Sequence, residues 1–142
     1  MRYLLQFPSE AQIRDYIIDI LEGDEPCDYI KFEKFEPYML NCLVQNEYEP
    51  NYSEHLLAAF RVLDPENKGF IRIDVMKELI TTKGIPLRER EIQSFISFAG
   101  DKAGQYIYYE DYVTRLMEEL ERHRETLTKD YETFKVPGQK KA

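Results

Sequence analysis

The sequence predicts an all-α protein built from repeated helix-loop-helix units, and three observations support this prediction. First, the patches CDYIKFEKF, KGFIRIDVM and GQYIYYEDY resemble one another, with Ile30, Ile71 and Ile107 in one register. Second, apolar residues recur at i, i+3 and i+4 on both sides of each patch, which is typical of amphipathic helices. Third, glycine and proline are sparse, at 6 and 7 residues, and all but Pro37 fall between these segments, as expected for short connections.

The bulk composition restricts the class of partner. The chain has 142 residues, of which 43% are hydrophobic, enough to form a core. The net charge of −8 argues against nucleic acid and anionic membranes, because both favour clustered Lys and Arg. No apolar run approaches the roughly 18 residues that a membrane span needs. We therefore expect a cytoplasmic protein whose partners are basic or apolar.

The two cysteines, Cys27 and Cys42, form neither a metal-ligand spacing nor a disulfide framework. We expect both to be free thiols in a reducing compartment. Cys42 fits a small core residue better than a nucleophile. No combination of Ser, His and Asp, no Cys/His pair, no phosphate-binding loop and no zinc spacing is present, so we expect no catalytic residues and no enzyme activity.

Helices are predicted before and after each patch. Ser9 is a candidate N-cap for the first, with Gln12 as its capping-box partner, and Ser53 is a candidate cap before the second patch. The apolar positions that define the helices are Ile13, Tyr16, Ile17, Ile20 and Leu21; Phe35, Met39 and Cys42; Leu56, Ala59, Phe60 and Leu63; Met76, Leu79 and Ile80; Ile92, Phe95, Ile96 and Ala99; Tyr112, Val113, Leu116 and Met117. A helix, a loop with a short strand and a second helix constitute the EF-hand unit.

The second loop lacks two of the ligands that calcium requires. An EF-hand loop has twelve places, with oxygen ligands at places 1, 3, 5 and 12 and glycine at place 6. With Ile71 at place 8, the four ligand places are occupied by Asp64, Glu66, Lys68 and Val75. The glycine place is occupied by Gly69. Lysine at place 5 puts a cation where a ligand should be, and valine at place 12 removes the bidentate carboxylate. Asp64 and Glu66 are the least poor calcium candidates.

The first and third loops are poorer still in this register. Places 1, 3, 5, 6 and 12 are Gly23, Glu25, Cys27, Asp28 and Lys34 in the first loop, and Gly100, Lys102, Gly104, Gln105 and Asp111 in the third. Neither loop has a ligand at place 1 in this register. We therefore expect no metal site and no cofactor, calcium included. The three isoleucines should remain as strand residues that pair neighbouring hands.

The repeat predicts one complete pair of hands and one partial lobe. Residues 1–46 correspond to a truncated N-terminal lobe, namely the second helix of a missing hand and one degenerate hand. A linker at 47–53 precedes the pair at 54–118, and 119–142 form a helical extension with a basic tail. Two explanations fit the missing hand: the sequence is an incomplete or alternative start of a longer protein, or a partner chain completes the lobe.

The last helix continues beyond its hand. Val113, Leu120, Leu127 and Phe134 recur every seven residues, with Met117, Arg124 and Tyr131 four places after the first three. A helix from 112 to 135 would be about 36 Å long, too long to bury against one small lobe. We favour a contact strip for another protein; the alternative is a solvated, charged helix.

A groove in the complete pair is the second predicted contact region. Methionines suit an EF-hand groove that accepts a partner helix, but core packing would place them equally well. The predicted partner-binding residues of groove and strip are Phe60, Leu63, Met76, Ile80, Phe95, Phe98, Leu116, Met117, Leu120, Leu127, Tyr131 and Phe134.

Several stretches resemble known EF-hand proteins. MRYLLQFPSEAQIRDYI resembles the calmodulin segment that joins the first two hands, and LLAAFRVLDPENKGFIRIDVMKELI resembles a calmodulin third hand. YIKFEKFEPYM, NEYEPNYSEHLLAAFRVLDPENKGF and IYYEDYV resemble the EF-hand subunits of the ciliary nexin-dynein regulatory complex, over residues 3 to 115. The tail beyond Tyr112 is longer than that family's pattern.

The resemblance implies a location and a set of partners. It implies the cytoskeleton of the cilium or flagellum, the axoneme, and coiled-coil subunits of that complex as neighbours. Together with the altered loops, it predicts a calcium-independent structural adaptor that binds amphipathic helices. The alternatives are a calcium sensor of the calmodulin type and a light chain on an IQ-type motor helix.

Overall fold

The computed structural model describes residues 1–22 and 29–133, and these are mostly helical. A short 3-10 helix, Arg2–Leu4, precedes the other elements. In chain order these are α1 at 10–21, made of Glu10–Gln12, a π-helical turn Ile13–Ile17 and Ile18–Leu21; α2 (Phe32–Gln45); α3 (Ser53–Leu63); β1 (Phe70–Arg72); α4 (Ile73–Thr82); α5 (Glu89–Ala99); β2 (Tyr106–Tyr108); and α6 (Tyr109–Thr133). None of the helices in these ranges is both long and apolar enough to cross a membrane.

The chain divides into two compact units. Unit 1 comprises Met1–Pro50 and Leu127–Ala142, and unit 2 comprises Asn51–Thr126. The predicted long C-terminal helix is confirmed, since α6 has 25 residues and a length of about 37 Å. The helix passes from unit 2 into the sequence range of unit 1.

Unit 2 contains two helix-loop-helix hands joined by a short antiparallel pair of strands. The register places Phe70 opposite Tyr108 and Arg72 opposite Tyr106. At the centre Ile71 faces Ile107, which confirms the predicted pairing of these isoleucines. Both side chains are almost fully buried. The pairing therefore gives each strand its hydrogen-bond partner and closes the core at the same point.

The core of unit 2 forms where the four helices meet beneath the strands. The rings of Phe60 and Tyr109 stack with their centroids 5.6 Å apart, and the Tyr112 ring packs edge-on against Phe60 and Phe95. Such ring pairs add about 0.5–1.5 kcal/mol each beyond the burial of their surface. The buried core residues are Phe60, Ile71, Met76, Ala99, Ile107, Tyr109 and Val113.

Unit 1 is organised by a capped helix and an N-terminal segment held to the end of α2. The Gln12 backbone N–H donates to Ser9 Oγ (3.2 Å) and the Ser9 N–H donates to Gln12 Oε1 (2.8 Å), so the predicted capping box is confirmed. The Phe7 N–H donates to the Tyr48 carbonyl (2.7 Å), and the Tyr48 N–H donates to the buried Gln6 Oε1 (3.1 Å). These bonds hold the segment before α1 against the turn after α2.

Among the described residues, the buried cluster of unit 1 has fewer members than that of unit 2. Its buried members are Ile17 and Leu21 of α1, Cys42 of α2 and Tyr48. Cys42 is a free thiol with no exposed surface, as expected for a core residue. Cys27 lies outside the described residues.

Two local predictions are wrong. Ser53 is the first residue of α3 and not its cap, because Tyr52 occupies the cap position and no side chain makes a capping hydrogen bond. Ile30 lies in no strand, and 37% of its surface is exposed. The physical reason is that a β-segment needs a partner strand, and the described part of unit 1 supplies none. The chain instead enters α2 directly, with Lys31 as its N-cap.

Candidate functional site

The second loop closes around the carboxylate of Asp64, which has only 7% of its surface exposed. Its Oδ1 accepts a hydrogen bond from the Lys68 N–H (3.0 Å), and its Oδ2 accepts one from the Gly69 N–H (2.8 Å). Gly69 has φ +80°, so the predicted glycine at place 6 makes the turn that directs these N–H groups inward. The Lys68 N–H and then the Gly69 N–H hold the pKa of Asp64 below its ordinary value.

A third donor to Asp64 comes from the other hand. The Tyr109 hydroxyl, at the start of α6, donates to Asp64 Oδ2 over 3.1 Å. Burial and the hydrogen bond to Asp64 raise the pKa of Tyr109, so the phenol stays neutral and remains a donor. The contact joins two hands across 45 residues of sequence, and it was not predicted from the sequence. The density of tyrosines near β2 was the only signal.

The remaining places of this loop do not offer a calcium ion its ligands. Lys68 at place 5 forms an ion pair with Glu66 at place 3, so a cation lies beside the second acid of the loop. The Val75 side chain at place 12 has no oxygen. The Asp74 carboxylate beside it is paired with Arg72, with Oδ2 and Nη2 2.5 Å apart. Calcium takes six to eight oxygen ligands. The donor set of this loop therefore does not fit the ion.

The third loop has an acid that the predicted register missed. Asp101 Oδ1 accepts hydrogen bonds from the Gln105 N–H (2.7 Å) and the Tyr106 N–H (3.1 Å). These donors lie four and five residues after the acid, as they do for Asp64. Asp101 therefore takes the structural role of place 1, and the prediction that no acid does so is wrong. The reason is that this loop is one residue shorter. Ile107 comes six positions after Asp101, whereas Ile71 comes seven positions after Asp64.

Acid should destabilise the chain through these two carboxylates. The Tyr106 and Gln105 N–H groups lower the pKa of Asp101, as the second-loop donors lower that of Asp64. A pKa that is lower in the folded than in the unfolded chain stabilises fully above the unfolded value of about 4, and this stabilisation is lost as the pH falls further. We expect Asp64→Asn and Asp101→Asn to flatten the decline in urea midpoint between pH 5 and pH 2. Asp19→Asn, which removes an exposed acid of α1, is the matched control for the change of charge.

The two hands reach across to each other at equivalent positions. Ile73 and Tyr109 each lie two residues after a central strand isoleucine. Tyr109 extends to the second loop, while Ile73 extends to Gly100 at the start of the third. A Cβ on Gly100 would lie 3.0 Å from Ile73 Cδ1 and 2.8 Å from the Ile96 carbonyl oxygen. Tyr109 connects the hands through a hydrogen bond to Asp64, and Ile73 connects them through an apolar contact at Gly100.

The close approach at Gly100 leaves no room for a side chain. We expect Gly100→Ala to lower the free energy of unfolding by about 1–3 kcal/mol, because the added methyl meets a backbone oxygen that cannot rotate away. Urea denaturation measures the change, and Lys102→Ala in the same loop should stay within about 0.5 kcal/mol. A loss for Gly100→Ala as small as that for Lys102→Ala would contradict the prediction. It would mean that Ile73 and the end of α5 move aside at little cost.

Lys34, the lysine at place 12 of the first loop, contacts the end of the preceding helix. Lys34 Nζ donates to the Glu22 carbonyl at the end of α1 (2.7 Å). An ammonium group thus connects the two helices of this hand. The other predicted places, Gly23, Glu25, Cys27 and Asp28, lie outside the described residues. Within the described ranges, no group of three or more His, Cys, Asp or Glu side chains is arranged to hold a metal ion.

The predicted partner-binding residues divide by burial. Phe60 and Met76 lie in the core of unit 2, so they contact a partner only if the lobe opens. Leu63 is exposed, Tyr131 has no described side chain, and Phe134 lies outside the described residues. The half-buried members are Ile80, Phe95, Phe98, Leu116, Met117, Leu120 and Leu127.

The fold is that of a calmodulin-like EF-hand protein, as predicted. It is defined by the paired hands, the strands centred on two isoleucines and the glycine turn at place 6. Comparison of the sequence with known proteins narrows this class. The chain is a homologue of dynein regulatory complex protein 8. It is 39% identical to the protein of that name from Mus musculus over 110 residues, 78% of this chain and 66% of the relative. It is also 39% identical to the Chlamydomonas reinhardtii protein over 109 residues, 75% of this chain and 64% of the relative.

These relatives are longer than the matched region, and the chain spans just under two thirds of their length. Calglandulin from Tropidechis carinatus is 32% identical over 81 residues, 57% of this chain and 52% of that protein. No protein-family model matches the sequence.

Two solved structures are similar to the chain at a low level. The Physarum polycephalum myosin II regulatory domain has a TM-score of 0.43 and 20% identity, over 78% of this chain and 73% of that chain. Mlc1p bound to IQ4 of Myo2p, a class V myosin, has a TM-score of 0.42 and 17% identity, over 81% and 78%. At these TM-scores the likeness carries no argument.

Proposed function

We propose that this chain is a calcium-independent structural adaptor in an axonemal dynein regulatory complex. The observation that carries the proposal is that the protein itself provides the partners of Asp64. Two backbone N–H groups and the Tyr109 hydroxyl surround the carboxylate that begins the loop. The contact that an ion would make within one loop is replaced by a bond between two hands.

A lobe held in this way has one geometry and needs no signal to adopt it. The strand pair and the Tyr109–Asp64 bond both connect its hands. Its half-buried apolar side chains then form a constant surface for an amphipathic helix. On α6, Leu116, Leu120 and Leu127 follow one another at spacings of four and seven residues, and all three are half-buried. This spacing suits contact with a helix of a coiled-coil subunit.

The location and the partners rest on the homologues. The mouse and algal relatives are dynein regulatory complex proteins by name, which supports a place for this chain in the cytoskeleton of a cilium or flagellum. Other subunits of that complex are the proposed partners. The proposal includes no enzymatic activity, no metal and no other cofactor.

Calorimetric titration with calcium tests the proposal. The chain, first treated with a chelator, should show no binding at micromolar calcium. Lys68→Asp combined with Val75→Glu restores acids at places 5 and 12 and should create a measurable site. Lys77→Asp combined with Val62→Glu makes the same change of charge outside the loop and should create none. A micromolar site in the unaltered chain contradicts the proposal and supports a calcium sensor.

A further inference from the structure

The outward side of α2 in unit 1 is apolar but exposed. At 100° per residue, four large apolar side chains lie within a sector of roughly 120°. They are Phe32, Leu40, Leu43 and Val44, which have 65%, 56%, 38% and 79% of their surface exposed. We call this sector the outer face of α2.

The outer face differs from the side of α2 that packs on unit 1. That other side carries Phe35, Tyr38, Met39 and Cys42, all buried or half-buried. The helix is therefore apolar on two sides, although a surface helix normally needs only one. The described core of unit 1 accounts for the first side and not for the outer face.

Charge indicates what the outer face accepts. Glu33 and Glu36 project within the same sector, both are exposed, and the sector contains no Lys or Arg. Residues 1–50 contain 11 Asp or Glu against 4 Lys or Arg, a net charge of −7 out of −8 for the whole chain. A second copy of the chain would bring the same negative charge to the contact, whereas a basic partner would be attracted.

Pro37 adds a backbone acceptor to this face. Proline has no N–H, so the Glu33 carbonyl lacks the donor that residue i+4 normally supplies inside a helix. That oxygen belongs to Glu33, one of the two acids of the outer face. The distance along the helix from Phe32 to Val44 is about 18 Å, a little over three turns of a partner helix.

We propose that the outer face of α2 is a docking surface for a basic amphipathic helix of a partner protein. The apolar side of that helix packs on Leu40, Leu43 and Val44, and its Lys or Arg side chains pair with Glu33 and Glu36. This surface is formed by α2 and contains none of the groove and α6 residues that the proposed function uses. It gives the chain a second helix-binding surface.

Fluorescence anisotropy with a synthetic peptide tests this proposal. The probe is a labelled 18-residue amphipathic helix of Leu and Lys, titrated with the full chain. We expect Leu40→Gln combined with Val44→Gln to weaken binding about tenfold, because two apolar contacts are lost. Val62→Gln is the matched control, since Val62 of α3 has the same exposed fraction of 79%. It should change the dissociation constant less than twofold.

The charge component has its own pair of variants. Glu33→Gln combined with Glu36→Gln should weaken binding and reduce its dependence on salt. Glu54→Gln combined with Glu78→Gln removes two exposed acids of unit 2 and should change neither. Hydrogen exchange should show protection by the peptide within α2.

Three results would overturn the docking proposal. One is equal binding of a peptide in which Glu replaces Lys. The second is protection confined to unit 2, which would leave the proposed function intact while removing this surface. The third is a dimer in sedimentation equilibrium that Val44→Gln dissociates, because the occupant would then be a second copy. Calcium binding by the second loop would overturn the proposed function and leave the outer face unaffected.

Discussion

Tyr109→Phe should lower the midpoint of thermal unfolding by roughly 5–10 °C, although it removes a single oxygen atom. The ring keeps its stacking on Phe60, so the loss reports on the hydroxyl alone. That hydroxyl donates to a buried, charged carboxylate, and hydrogen bonds to charged groups are the stronger ones. Circular dichroism during heating measures the midpoint.

A double-mutant cycle separates the Tyr109–Asp64 bond from other effects of the substitutions. Asp64→Asn removes the charge, and the double variant with Tyr109→Phe should lose clearly less than the sum of the two single variants. Tyr108→Phe is the control, because its ring is next in sequence and half exposed. Additive losses would show that the two side chains do not interact and would remove the main support for an ion-free lobe.

Ile107→Ala should destabilise unit 2 by about 2–5 kcal/mol, the largest effect we expect from one substitution. Ile107 has no exposed surface and faces Ile71 across the strand pair, so its loss leaves a cavity where the hands meet. Urea denaturation monitored by tyrosine fluorescence gives the free energy. Total unfolding of the variant at 25 °C would agree with a marginal lobe.

Ile30→Ala is the matched comparison, since Ile30 has the same place in its loop. It is 37% exposed and lies in no strand, so its loss should cost less than about 1 kcal/mol. Equal effects at both positions would mean that Ile30 is paired in solution by a strand that the described residues do not contain.

Two described side-chain contacts connect parts of the EF-hand framework, and they use different chemistry. In the second loop the carboxylate was retained and a phenol of the opposite hand binds it. In the first hand a lysine at place 12 binds the carbonyl at the end of the preceding helix. The first contact joins two hands and the second joins the two helices of one hand, and both use groups that the chain itself supplies. Under the proposed calcium-independent function, contacts of this kind would keep the packing of the EF-hand framework.

The sequence determined the features that depend on neighbours along the chain. The spacing of apolar residues predicted the helices, the Ser9 and Gln12 pair predicted a capping box, and the common register of Ile71 and Ile107 predicted the strand pair. The lysine and valine at places 5 and 12 of the second loop were visible without coordinates. Each of these signals is local or periodic, so a single chain read in order reveals it.

Only the tertiary structure decided what lies between distant segments. It showed that Tyr109 binds Asp64, that Asp101 takes the role expected of Gly100, and that Ile30 lies in no strand. A hydrogen bond across 45 residues leaves no periodic trace, and a loop shortened by one residue shifts the register without changing the composition. The physical reason is that the Tyr109–Asp64 contact depends on how the two hands are rotated against each other. That rotation is set by the packing of the whole core.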